Sequence, residues 1–486
     1  MRHTFKFICA AIALCYGTQA LATPALATQA TKDQTIEQRN KASQTKKTTS
    51  SKAASLATGM TEAEAAIMAE KVKAETLHAW NAYKQYAWGH DALKPLSQSS
   101  HDWYGSSLLM TPVDALDTLL IMGLDKEAKE AQELIATKLN FDQDLNVQNF
   151  EITIRLLGGL ISGYQMTKDQ RLLDLAKDLG DRLLPVFNSP TGMPYTHVNL
   201  KTGKVEGNVS NPAETGTLVL EFGMLSKLTG NPVYFDKAKK ALVATFAHRS
   251  KIGLVGSGID VETGTWTDNT SHIGGGIDSY YEYLNKCWRL FGDKDCRAMW
   301  DTSIQAVNQH LAEEVRGEFW YGQVDMHTGK RTASVYGALD AFMPALLVLG
   351  GDLDRAKRLQ DSGQKMWRLH GIEPEAIDYV NMKVVSAAYP LRPEIVESAY
   401  YLYRATGDVK YRVMGKEFFN DFVRRCRVPH GYAALKDVRT ELKSDSMESF
   451  VFAETFKYYY LLFAPKSSLD FDKVTFNTEA HPFHLD

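Results

Sequence analysis

Residues 390–408 read PLRPEIVESAYYLYRATGD, and the fold follows from how this stretch is read. After Pro393 the apolar residues fall on helical spacing, so the sequence predicts a helix that starts at the proline, whose fixed φ already suits a first turn. Glu394 lies in that turn and Glu397 one turn later on nearly the same face. Two carboxylates and Arg392 therefore crowd one helix N-terminus. Acids there complement the helix macrodipole, which suffices to explain any single one. It does not explain why the arrangement recurs along the chain.

The recurrence is an internal repeat. Small turns that end one helix and open the next occur at Met122-Gly123-Leu124-Asp125, Thr167-Lys168-Asp169, Thr229-Gly230-Asn231, Phe291-Gly292-Asp293, Gly350-Gly351-Asp352 and Thr406-Gly407-Asp408. After the first gap the spacing is roughly 55–62 residues, the length of a helical hairpin and its return loop. Helices before the turn are apolar nearly all round, as in 216–228 GTLVLEFGMLSKL; those after it carry solvated faces, as in 234–246 YFDKAKKALVATF. With a last helix through Lys457 to Phe463, the pattern predicts seven hairpins with inner and outer layers, an all-α (α/α)7 barrel. A solenoid would expose its end units and need capping repeats. Short β segments are expected in long loops, around 193–206 and 252–266.

In such a ring all inner helices run the same way, so their N-termini gather at one end. Glu151 and Arg155, Glu214, Asp278 and Glu282, Arg392 with Glu394 and Glu397, and Glu454 all arrive there. Each has a local explanation: Glu151 and Arg155 form an i,i+4 pair, and Ser279 with Glu282 reads as a capping box. Together they concentrate acids at the mouth of an apolar ring, where burial and like charge raise carboxyl pKa values. With flanking aromatics such as Phe450 and Trp103, that pocket suits glycosidic bond cleavage by an acid/base pair. Glu394, beside Arg392, is expected to be ionised and to act as the base. Glu151, with only Arg155, is free to hold a proton. Their helices are not neighbours, which favours the roughly 6.5–9.5 Å carboxyl gap of an inverting mechanism. Near the C-terminus, 476–482 FNTEAHP has the polar density of a ligand loop, and Thr478 offers two oxygens to a hard cation.

Composition sets the outer bounds. A net charge of -3 gives no electrostatic case for nucleic acid or an anionic membrane surface. Residues 1–22 read as a signal peptide, with Arg2, His3 and Lys6, an apolar run from Phe7 to Tyr16, and Ala20-Leu21-Ala22 as the cleavage site. Ala25-Leu26-Ala27 is a second candidate site. Residues 23–59, rich in Ala, Thr, Ser, Lys and Gln, read as a flexible tether, and 60–486 as one catalytic domain. Of the cysteines beyond the leader, Cys287 and Cys296 can pair across a helix turn, although connectivity with Cys426 stays open. No cysteine and histidine spacing resembles a zinc site.

Seven stretches, in order, carry a resemblance to glycoside hydrolase family 47, the class I α-1,2-mannosidases. They are 114–124 DALDTLLIMGL, 150–160 FEITIRLLGGL, 213–222 AETGTLVLEF, 276–284 GIDSYYEYL, 391–408, 447–463 MESFVFAETFKYYYLLF and 476–482. The resemblance spans essentially all of 75–484. It implies an (α/α)7 barrel, hydrolysis of terminal α-1,2-linked mannose with inversion, and one Ca²⁺ that binds the sugar hydroxyls. By motif match Glu151 resembles the acid that acts through a water, Glu394 the general base, and Asp278 a further catalytic carboxylate and rival candidate for the acid. Thr478 resembles the direct protein ligand of the calcium. Arg155, Glu214, Glu282, Arg392, Glu397, Glu454 and Glu479 resemble the substrate-binding shell, and Phe450 the aromatic under the sugar.

Within the family, 427–439 and 339–352 look most like the endoplasmic-reticulum degradation-enhancing branch. Where processing enzymes carry a His and a Cys, this chain has Ala338 and Ala341. The leader looks bacterial and the chain ends without a retention tail, so the expected destination is periplasm or medium. The expected partner is a mannose-rich oligosaccharide, with no nucleic acid, no membrane span and a monomeric state. The competing expectation is a mannose-glycan lectin on the same fold; a lectin would be free to lose Glu151 or Glu394, and both are present. A barrel hydrolase for another sugar is weakened by the FNTEAHP match.

Overall fold

The computed structural model describes residues 59–440 and 442–484. The expected leader (1–22) and almost all of the expected tether (23–59) lie outside the described residues. The first helix of the described residues, Glu62–Tyr86, opens on Thr61, whose side chain accepts from the Glu64 N–H while the Glu64 carboxylate accepts from the Thr61 N–H.

Among the described residues, seven inner helical segments form a closed ring. In order they are Met110–Ile121; Asn149–Ile152 continuing through Thr153–Leu157 to Gly158–Thr167; Pro212–Gly216 with Val219–Thr229; Asp278–Phe291; Leu339–Phe342 with Met343–Gly350; Glu394–Thr406; and Val451–Phe456 with Lys457–Phe463. Each packs on the next, and the seventh packs on the first. Six outer helices follow their inner partners directly: Asp125–Lys138, Gln170–Leu183, Val233–Ala247, Lys294–His310, Leu353–Arg368 and Lys410–Cys426. The seventh outer helix is the first of the described residues, Glu62–Tyr86, which packs against Lys457–Phe463. The two ends of the domain thus close the (α/α)7 barrel, and no unit is left exposed as a solenoid end would be.

The turn signals work as local chemistry dictates. Lys168, Gly230, Gly292, Gly351 and Gly407 end inner helices in the left-handed conformation. The aspartates that follow at 169, 293 and 352 accept first-turn N–H groups of the outer helices. A disulfide joins Cys287 to Cys296 across one such turn. No helix of the described residues is long and apolar enough to cross a membrane.

Short antiparallel strand pairs occupy the loops, including His197–Asn199 with Val205–Glu206 and Gly258–Asp260 with Trp266–Asp268. One hairpin is different. Val474–Phe476 pairs with Pro482–His484, and its tip, 477–481, is buried among the inner helices except for the half-buried Thr478. The strands lie beside the turn end of the second inner helix, where the His484 N–H donates to Gln165 Oε1 at 3.2 Å. The hairpin therefore plugs the barrel from the turn end, with its tip aimed at the acid-bearing N-termini.

Candidate active site

The hairpin tip holds itself in shape. Asn477 Oδ1 accepts from the N–H groups of Glu479 (2.9 Å) and His481 (2.8 Å), and Ala480 adopts a left-handed φ of 57°. The Asn477 amide donates to Ile154 O and to Glu221 Oε1, both at 2.8 Å. Gly158 and Gly159 make this approach possible, since a Cβ on Gly158 would lie 2.6 Å from Asn477 Nδ2. His481, fully buried, lies 2.6 Å from Asp117 and 3.3 Å from Asp114, and Lys457 lies 2.8 Å from Asp117. Burial alone would depress the His481 pKa, but Asp117 and Asp114 override it and lift the imidazole to about 9. These contacts tie the plug to the first and seventh inner helices.

Above this anchor the residues expected from sequence come together in three connected groups. Arg155 donates from Nε to Glu151 at 2.8 Å, pairs with Glu479, and lies 3.7 Å from Asp114. Its guanidinium lies 5.2 Å from the Trp103 ring centroid and 5.8 Å from that of Phe450. Glu282 pairs with Lys286 and accepts from Thr478 Oγ1 at 2.9 Å, while Glu397 accepts from Tyr458 at 3.2 Å. Asp278 and Glu394 are electrostatic neighbours at the mouth, with Arg392 beside them. Glu214 completes the rim, accepting from Gln148 at 2.7 Å and Ser210 at 2.8 Å.

Two of the inner helices widen into a π-helical turn, at Thr153–Leu157 and Val451–Phe456. Arg155 sits in the first and Glu454 in the second, and each feels the other's charge. Such turns re-aim side chains and recur at functional sites. Residue spacing gives no sign of them.

One expectation is corrected. Arg392 was expected to keep Glu394 ionised, but its guanidinium is bonded to Glu375, at 2.5 and 3.2 Å. Burial outweighs the charge of Arg392, which still lowers the value, and pushes the Glu394 carboxyl up to about 7. Burial raises Asp278 to about 7 as well. Behind Glu394 lies Glu373, fully buried, with neither carboxyl oxygen hydrogen-bonded among the described residues. Its pKa is pushed well up by burial and then by the charge of Glu394.

The donor set at the tip fits a hard cation. Glu282 meets Thr478 and Glu479 follows it in the chain, Glu397 feels the charge of Glu282 and Glu454 that of Glu479, and Arg155 and Lys286 are the counter-charges. Burial followed by the charge of Glu282 raises Glu397 to about 8; burial followed by the charge of Glu479 raises Glu454 well above its ordinary value. Crowded oxygen donors whose negative charge is under-compensated are what a Ca²⁺ site requires.

Asp114, Asp117, Lys457 and His481 were not singled out from sequence. Their signal was there: two acids three residues apart in DALDTLLIMGL and a lone lysine in FKYYYLLF are charges placed where only apolar residues fit without partners.

The family description Glycosyl hydrolase family 47 matches residues 75–485. The chain is 39% identical over 448 residues to ER degradation-enhancing alpha-mannosidase-like protein 2 of Homo sapiens, covering 85% of this chain and 77% of that protein. It is 37% identical over 441 residues to mannosyl-oligosaccharide 1,2-alpha-mannosidase MNS1 of Arabidopsis thaliana, covering 86% and 78%. Among solved structures it is similar to the alpha-1,2-mannosidase from Trichoderma reesei, with a TM-score of 0.80, 30% identity, and coverage of 86% of this chain and 99% of that one.

Proposed function

The chain belongs to glycosyl hydrolase family 47, and from that premise we propose that it is an exported, Ca²⁺-dependent, inverting exo-α-1,2-mannosidase acting on mannose-rich glycans. The observation that carries the reading is the placement of Glu151, Asp278 and Glu394 on the second, fourth and sixth inner helices, at the mouth above the Thr478 hairpin tip. The disulfide accords with an oxidising compartment outside the cytosol. The leader resembles a bacterial one, which makes periplasm or medium the proposed destination.

In this reading the terminal mannose descends the mouth until it meets the hairpin tip, with the Phe450 ring beside it. Thr478 would hold Ca²⁺ together with water, and Glu282, Glu397, Glu454 and Glu479 would hold those waters. When bound, the ion supplies oxygen coordination for the sugar hydroxyls. Arg155 orients Glu151 by its Nε bond and holds Glu479 on the hairpin at the same time. Glu151 delivers a proton to the leaving oxygen through a water, a role for which Asp278 is the rival. Glu394 takes a proton from the attacking water on the opposite face. A base with a pKa near 7 is strong enough to remove that proton and still deprotonated often enough to act at neutral pH.

The test is ¹H NMR of the first product from α-1,2-mannobiose, with and without Ca²⁺. The expected first product is β-mannose. Early α-mannose, or a covalent glycosyl adduct trapped at Glu394, overturns the role assignment. Binding of mannobiose without any turnover would instead support a lectin.

A further inference from the structure

The fifth inner helix contributes none of the catalytic, substrate-binding or metal-holding residues named above, although it starts at the same mouth as the others. Its short opening turn, Leu339–Phe342, carries Asp340. The carboxylate lies in a slot between two glycines. A Cβ on Gly274 would meet Asp340 Oδ2 at 3.0 Å and Oδ1 at 3.1 Å, and one on Gly337 would meet Oδ2 at 2.8 Å. Oδ2 accepts from the Gly337 N–H at 2.6 Å. Apart from Asp340's own N–H, no described group is bonded to Oδ1, and Asp340 is half-buried, which leaves this oxygen open to the pocket. The neighbouring Gly275 is exposed.

The surroundings of Asp340 are those of the site. Gly274 O accepts from the N–H of Asp278 at 3.1 Å, so the slot and the start of the fourth inner helix are one structure. Asp278 and Glu375 are the charged neighbours of Asp340, and burial with these like charges raises its pKa. Depth is set by Glu282, the residue that meets Thr478. It lies four residues, roughly 6 Å, deeper along the helix than Asp278. Asp340 is level with Asp278, so it stands about one sugar ring nearer the mouth than the floor.

We propose that Asp340 is a specificity-determining residue, its Oδ1 accepting a hydroxyl of the sugar on the leaving-group side of the bond that is cut. A glycosidic linkage puts the second ring above the first, where the slot is. The glycines at 274 and 337 leave room for the carboxylate, since a Cβ at either would press on its oxygens. This inference rests on the proposed mannosidase reading.

The experiment compares wild type with Asp340→Ala and Asp340→Asn in two measurements: steady-state turnover of α-1,2-mannobiose, and the affinity for free mannose, which occupies the floor alone. For Asp340→Ala the expected result is a KM for mannobiose raised about 10-fold, kcat within about two-fold, and mannose affinity within about two-fold of wild type. Asp340→Asn, which keeps an amide oxygen, should fall between. Retained mannose binding shows that the variants are folded. An unchanged mannobiose KM, or an equal loss for mannose and mannobiose, overturns the inference. If wild type leaves mannobiose intact, the mannosidase reading itself fails, and with it this assignment.

Discussion

Replacing His481 with glutamine tests whether the buried ion cluster holds the plug in the barrel. Asp117 and Asp114 lift His481 from an ordinary 6.5 to about 9 against its burial, a preference for the charged form of ~3 kcal/mol. Asp117, in spite of burial, is pulled from 3.8 to about 2 by Lys457 and then by His481, which corresponds to ~2.5 kcal/mol. These are two views of overlapping contacts and are not added. We take ~2–3 kcal/mol for the imidazolium.

The sign follows from linkage. The folded value of His481 lies above its unfolded value, so its contribution is fully present below pH 6.5 and is lost as pH rises through 9. Asp117 runs the other way, contributing above pH 3.8 and losing that contribution as pH falls through 2. The measurement is urea unfolding of wild type and His481→Gln at about pH 6 and about pH 10. At the lower pH the variant should be less stable by ~2–3 kcal/mol, and at the higher pH the gap should close. Asp278 and Glu394, both raised to about 7, also lose stability as pH rises to neutrality, but that background is common to both proteins. An equal gap at both pH values refutes the reasoning.

Glu394→Gln should lower turnover of mannobiose by about 10²–10⁴-fold while mannose affinity stays within a few-fold, because shape is kept and only the base is lost; parallel loss of binding would count against it. The same change removes a carboxyl that burial disfavours in its charged form, so the variant should be at least as stable as wild type above pH 7. Chelation with EDTA should abolish turnover and lower the urea midpoint, Ca²⁺ should restore both, and Thr478→Val should blunt the Ca²⁺-dependent shift without unfolding the barrel. The pair Cys287→Ala and Cys296→Ala should cost ~2–3 kcal/mol of stability for so short a loop. It should leave kcat unchanged, since Cys287 lies roughly 13 Å along its helix from Asp278.

What could be read from the sequence was what local chemistry encodes. Gly230, Gly292, Gly351 and Gly407 punctuate the helices because a left-handed turn needs little beyond a residue without a Cβ. Glu394 and Glu214 could be placed at helix starts because Pro393 and Pro212 mark those starts. The plug is different in kind. Asp117 and His481 are far apart in sequence, and only ring closure makes them neighbours. Their charges were visible as anomalies in apolar runs, but nothing local says that they answer one another.

The ionisation of Glu394 shows where a local reading fails even with the right residues in hand. Arg392 is two positions away and looks like the natural partner. Arg392 precedes the helix and bonds Glu375 in the loop before it, while still acting on Glu394 through its charge. Once that cation is engaged, three carboxyls, Glu373, Glu375 and Glu394, share a single guanidinium inside the protein. The most buried of them, Glu373, is raised furthest by burial, and Glu394, next to the pocket, is left poised near 7. A base tuned in this way depends on a loop acid that takes its arginine, so Glu375→Gln should free Arg392 to face Glu394. That would lower the Glu394 pKa, shift the acid limb of the mannobiose kcat/KM profile to lower pH, and weaken the base. An acid limb that stays in place would show that burial alone sets the value.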